Sequence, residues 1–225
     1  MGDPVGPTQE FYTRWARLYD LLAVGTPGIG SLRAAAVDHL APQPGETVVE
    51  MGCGTGANLP LLRDQVGPNG RVIGVDFSPG VLAVAAERVD RPGWENVHVL
   101  RGDGTQPPVN GAVDAVFASL VVGMVDDPAA VIDQWADLVG AGGRIGLLDL
   151  ARSTKPIARP LNGLFRRFVT LANPRSVRQS TSPLSTLDRR VAAAHRRLDE
   201  RCYDSQYETH ALGFARLSAG TVREP

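Results

Sequence analysis

The chain reads as an α/β protein built on a doubly wound, mostly parallel sheet of seven strands, with a helical cap at its N-terminus. Three observations predict this. From Thr47 onward, short β-branched runs alternate with segments of helical period, as they do when parallel strands are joined by crossover helices. The fourth run, AVDAVFASLVV, is apolar almost throughout, which suits a sheet covered on both faces. The last stretch, 201–218, alternates and contains Gly213, the pattern of a closing antiparallel hairpin.

Residues 9–22, QEFYTRWARLYDLL, set Phe11, Trp15, Leu18, Leu21 and Leu22 on one helical stripe. Glycine and proline at 25–30 break that helix, and a second is expected from Ser31, as N-cap, to about Leu40. Together they make the cap, 1–40. After the turn APQPGE, strands are expected at TVVEM, RVIGVD, VHVLRG, AVDAVFAS and RIGLLDL, with helices near 57–66, 79–90 and 128–139 between them. Residues 41–225 then form one domain with a basic helical insertion at about 152–200. Its helix from Ser185 to about Glu200 opens on a capping box of Ser185 and Asp188.

At 225 residues, 43% hydrophobic and 21% charged, the chain can bury a single ordinary core. A net charge of −1 gives no overall basic field, so no nucleic-acid partner is expected. Cys53 and Cys202 are too few and too far apart for a disulfide framework or a metal cluster, which predicts no metal and a reducing cytoplasm. The N-terminus lacks the basic start and apolar run of a secretory signal, and no stretch approaches the ~20 apolar residues of a membrane span.

The chemistry sits at the first three strand ends. Val48-Val49-Glu50-Met51-Gly52-Cys53-Gly54-Thr55-Gly56 runs from a buried strand through a glycine-rich turn into a helix, so backbone can approach a ligand and aim N–H groups at it. The spacing G-x-G-x-G departs from the dinucleotide pattern G-x-G-x-x-G, because position 57 is alanine. Asp76 ends the second strand, where a carboxylate can accept both ribose hydroxyls, and Asp103 ends the third, where one can accept an adenine amine. Three acids lining one crevice would repel a phosphate at Glu50 and attract a sulfonium that carries a free ammonium. A lone strand-end acid is otherwise a cap or turn former.

These segments, with GVDFS, RGDG, LVGAGGRIGLLDL and the upstream WARLYDLL, resemble the successive motifs of class I S-adenosylmethionine-dependent methyltransferases. The branch with the ubiquinone and menaquinone C-methyltransferases is the nearest in likeness, over roughly residues 11–151. The resemblance implies a Rossmann-like methyltransferase fold, S-adenosyl-L-methionine as cofactor and S-adenosyl-L-homocysteine as product. It implies that Glu50 holds the ammonium side, that Gly52, Gly54 and Gly56 permit close approach, and that Cys53 and Asn58 complete the turn. Asp76 would bind the ribose, Phe77 would pack on the adenine, Asp103 and Gly104 would meet its edge, Ser119 would lie beneath the sulfonium, and Tyr19 would close the site. Ala141 replaces the family's usual proline before strand five, and 152–200 matches no pattern of that branch.

No catalytic base is assigned. Cys53 reads as a small turn residue, the three tryptophans as packing, and His39, His98, His195 and His210 as surface or strand positions. The acceptor is expected to be a small or lipophilic molecule, a quinone precursor by likeness. An N-methyltransferase of a lipid headgroup or metabolite, a non-catalytic binder of the same donor and an NAD-dependent oxidoreductase are the alternatives. Seven basic residues and no acid lie between Asp149 and Asp188, around an apolar stripe of Leu161, Leu164, Phe165, Phe168 and Leu171. That stretch, 152–178, is either a lid packed on the sheet, a homodimer interface or a peripheral contact with an anionic membrane.

Overall fold

The computed structural model describes residues 28–91, 93–109, 111–172 and 183–224, except for the side chains of 168–172 and 183. The helix expected over 9–22, with Tyr19 and Trp15, lies outside the described residues.

Helix α1 (Ile29–Leu40) leads into strand β1 (Thr47–Met51), helix α2 (Leu59–Val66), strand β2 (Arg71–Asp76), helix α3 (Pro79–Asp90) and strand β3 (Val97–Arg101). Strand β4 (Ala115–Ser119), helix α4 (Pro128–Val139) and strand β5 (Arg144–Leu150) follow. A 3-10 turn (Pro156–Leu161), helix α5 (Asn162–Ala172), helix α6 (Pro183–Arg201) and strands β6 (Cys202–His210) and β7 (Ala215–Val222) complete the order. The seven strands lie in the order β3-β2-β1-β4-β5-β7-β6. Strands β1 to β5 pair in parallel, while β7 runs antiparallel to both β5 and β6. This is the doubly wound sheet and closing hairpin that the sequence predicts.

Apolar side chains on both faces of the central strands create two cores. Val48, Phe117, Leu148 and Leu217 pack beneath α1, α2 and α3 through Val37, Leu40, Leu62 and Leu82. Val49, Met51, Val116 and Leu147 pack on the other face beneath α4 and α6 through Ile132, Trp135, Val191 and Leu198. Alternation along β1 thus sends Glu50, with Val48, toward the α1–α2 side.

Two expected starts move. α1 begins at Ile29 after Gly28, whose φ of 83° is a backbone conformation that glycine takes without strain, so Ser31 lies inside the helix. α6 begins at Pro183, which puts Ser185 within its first turn, and Asp188 accepts the Arg152 backbone N–H at 2.8 Å and pairs with the Arg152 guanidinium at 3.1 Å. The tertiary contact takes the acid that a capping box would have used. His195 is also no surface residue: it is 6% exposed, with Nδ1 2.5 Å from Ser218 Oγ and Nε2 3.4 Å from Asp149 Oδ2.

Candidate cofactor-binding site

A polar cleft opens where β1 and β4 end, lined by Arg33, Glu50, Gly52, Cys53, Gly54, Thr55, Ala57, Asn58, Ser119 and Leu120. Parallel strands deliver all of these but Arg33, which comes from α1, to one end of the sheet, since each strand's carboxyl end meets the loop leading to its crossover helix.

Glu50 forms the floor. It is 1% exposed, and Asn58, the N-cap residue of α2, donates from Nδ2 to its Oε1 at 2.5 Å. Arg33 on α1 in turn donates from Nη1 to Asn58 Oδ1 at 3.0 Å, which fixes which way the amide faces. The second Glu50 oxygen, Oε2, is buried and has no hydrogen-bond partner among the described residues. Burial pushes the Glu50 carboxyl up to about 8, against the pull of Asn58 and Arg33. An unspent buried oxygen at the wall of a cleft is a place for a donor from outside.

The glycine turn closes over this floor. Gly54 has a φ of 55° and open space where a side chain would stand, so a ligand can approach its backbone. Gly56 is needed for the opposite reason: a Cβ there would lie 2.9 Å from Leu59 and 3.1 Å from Ala85, between α2 and α3. Asp76 braces the turn, accepting the Gly54 N–H and the Ser78 N–H at 2.9 Å each. Burial raises its carboxyl, and the backbone N–H groups of Ser78, Gly54 and Phe77 pull it back. Cys53 is buried, its Sγ faces Gly74 of β2, and its thiol is held well above the usual range by burial and the two nearby acids. It fills the turn rather than serving as a nucleophile.

The third strand contributes differently. Asp103 is exposed, and its Oδ1 accepts both the N–H and the hydroxyl of Thr105 at 2.8 Å, so its carboxylate caps its own loop. Gly104 approaches the backbone of Met51 and Gly52 and is held there by Trp135, whose Nε1 donates to the Gly104 carbonyl at 2.8 Å. Phe77 stands 42% exposed just past β2.

Four lining residues, Arg33, Thr55, Ala57 and Leu120, escape sequence reasoning. Arg33 had a readable signal: with Ala36, Val37 and Leu40 it occupies positions i, i+3, i+4 and i+7, a cation within the buried stripe of α1. Thr55 stands inside the turn without a chemical mark of its own. Leu120 had no signal, because its left-handed φ of 63° next to Ser119 is a conformation leucine rarely adopts, and its N–H is tied to the Leu148 carbonyl at 2.7 Å. Arg33 also amends the picture of a purely acidic crevice, since its guanidinium stands beside Glu50 and makes the amino-acid end bipolar.

Residues 48–143 match the family described as "Methyltransferase domain". The chain is 38% identical over 138 residues to nocamycin O-methyltransferase of Saccharothrix syringae, covering 60% of this chain and 48% of that one. It is 34% identical to 2-phytyl-1,4-naphtoquinone methyltransferase of Thermosynechococcus vestitus, with 64% of each chain covered. Among solved structures, an S-adenosylmethionine-dependent methyltransferase from Aquifex aeolicus superposes with a TM-score of 0.64 at 16% identity, covering 93% of this chain and 98% of that one, a likeness of fold. The chain spans between 32% and 64% of the length of the first curated relatives it matches. The cleft fits the cofactor of this family: a free buried carboxylate oxygen, a guanidinium and an open glycine turn suit its amino-acid end. No helix among the described residues is long and apolar enough to cross a membrane.

Proposed function

We propose that this chain transfers a methyl group from S-adenosyl-L-methionine to a small lipophilic acceptor, with a quinonoid or aromatic ring as the first candidate. The unpartnered Oε2 of Glu50 at the cleft wall carries the reading. Relatives named as nocamycin and phytyl-naphtoquinone methyltransferases support the acceptor class.

When bound, the cofactor supplies an electrophilic methyl on a sulfonium, which leaves as a thioether while the acceptor loses a proton. The chain's residues bind and orient. Glu50 receives the ammonium, Arg33 the carboxylate and Asp76 the ribose, with Gly104 and Phe77 at the adenine. Ser119 and Leu120, at the end of β4, border the cleft where the acceptor would approach. Alignment of two bound reactants is worth about 7–11 kcal/mol of barrier, so the transfer does not require a dedicated base.

Titration calorimetry with S-adenosylmethionine, followed by transfer of labelled methyl to a naphthoquinol, tests this. Binding that falls at least about tenfold in Glu50→Gln is expected, since a charged hydrogen bond is removed. Absence of binding to the intact chain overturns the cofactor assignment, and binding without transfer to any quinol or phenol overturns the acceptor class.

A further inference from the structure

The segment after β5 emerges at the same end of the sheet as the glycine turn, because β5 runs parallel to β4 and β4 to β1. Only part of it turns inward: Ala158 is buried, and the Phe165 ring packs on Phe214 with centroids 5.2 Å apart. Three other apolar side chains of its described part face water. Ile157 is 76% exposed, Leu164 69% and Leu161 43%. A lid packed on the sheet would have buried these side chains.

The turn between β6 and β7 adds a fourth. Leu212 is 51% exposed and sits on a left-handed backbone, φ 57°, next to Ala211 at φ 48°. Strain at two residues in succession holds an apolar side chain outward. This turn is locked to the segment: Ser153 donates its hydroxyl to the Leu212 carbonyl at 2.7 Å, and Arg216 donates to the carbonyls of Gly213 and Arg152. Lys155, Arg159 and Arg167 are exposed on the same segment, which carries no acid from 150 to 187.

We propose that Ile157, Leu161, Leu164 and Leu212, with Lys155, Arg159 and Arg167, form a surface that docks on an anionic lipid bilayer. Apolar side chains reach the acyl boundary while the cations meet lipid phosphates, the arrangement of an interfacial helix. The charge selects a bilayer over an apolar protein partner, since Lys155, Arg159 and Arg167, on a segment with no acid from 150 to 187, match a uniformly negative surface better than a mixed one. A lipophilic acceptor dissolved in the bilayer would then enter at the end of the sheet that holds the glycine turn. That consequence rests on the proposed methyl transfer, whereas the docking does not.

Flotation of the full chain with vesicles tests it, using phosphatidylglycerol mixed into phosphatidylcholine and phosphatidylcholine alone. The chain is expected to float with the anionic vesicles at low salt, to leave them as salt rises, and to ignore neutral ones. The pair Ile157→Ser with Leu164→Ser, and separately Lys155→Glu with Arg159→Glu and Arg167→Glu, should each lower partitioning at least about tenfold. Calorimetric binding of S-adenosylmethionine, unchanged in both variants, shows that they fold. A chain that stays at the bottom, floats equally with neutral vesicles, or floats undiminished in both variants overturns the proposal. So does light scattering that finds a dimer dispersed by the serine pair, which would assign the patch to a second copy.

Discussion

Glu50 and Asp149 are both 1% exposed carboxylates near the carboxyl ends of parallel strands, yet they belong to different regions with different work. Glu50 points to the α1–α2 face, beside a cleft, with one oxygen spent on Asn58 and the other unspent. Asp149 points to the opposite face, beneath α6, where His195 stands 3.4 Å away and Ser218 takes the other ring nitrogen. Burial raises both acids, opposed by Asn58 and Arg33 at Glu50 and by His195 at Asp149. Burial and a shifted acid therefore do not mark a ligand site. Nor does an unmet oxygen alone, since Asp149 Oδ2 also lacks a hydrogen-bond partner among the described residues; the open cleft beside Glu50 marks the site, and Asp149 belongs to the packing of α6 on the sheet.

Removing each acid should separate the two roles. Asp149→Ala leaves His195 buried against an empty place and is expected to destabilise the fold by about 3 kcal/mol in urea unfolding. Its affinity for S-adenosylmethionine should stay within about twofold of wild type. Loss of affinity with unchanged stability would erase the distinction between the regions.

Glu50→Gln should do the reverse in the ligand-free chain. A carboxyl raised from 4.5 to about 8 is held protonated by the fold, so its contribution to stability is fully present below about pH 4.5. That contribution is lost as pH rises through about 8. The stability of Glu50→Gln relative to wild type should thus climb between pH 5 and 8, by about 3–4 kcal/mol in matched unfolding curves. A difference that does not vary with pH would mean that the carboxyl ionises as freely in the fold as in water.

Arg33→Met sharpens the same contrast from the other partner. Affinity for S-adenosylmethionine is expected to fall about tenfold, and affinity for its decarboxylated analogue to change less than about threefold. Equal losses for both ligands would make Arg33 a brace for Asn58 alone.

Much of this was legible in the sequence. β1, β2 and β5 are found where TVVEM, RVIGVD and RIGLLDL place them, because central strands buried on both faces leave a dense apolar record. Glu50, Gly54 and Asp76 meet at one turn because strand ends of a parallel sheet must converge there. What failed depends on partners distant in sequence. Asp188 is diverted from Ser185 by Arg152, and His195 is drawn inward by Asp149 and Ser218, pairings that no local pattern records. Asp103 reads equally as a ligand or a turn former, and its bonds to Thr105 show the turn former at work. Leu120 illustrates a further limit, since a strained backbone is imposed by the surrounding structure and leaves no mark in residue type.

The central claim is that Glu50, neutral in the empty cleft, ionises to receive the ammonium of the methyl donor. Calorimetry of S-adenosylmethionine binding at pH 7, repeated in buffers of different ionisation enthalpy, counts the protons exchanged on binding. The wild-type chain should release about one proton more than Glu50→Gln, as a carboxyl near pKa 8 is driven to ionise. Identical proton counts and affinities for the two chains would contradict the account.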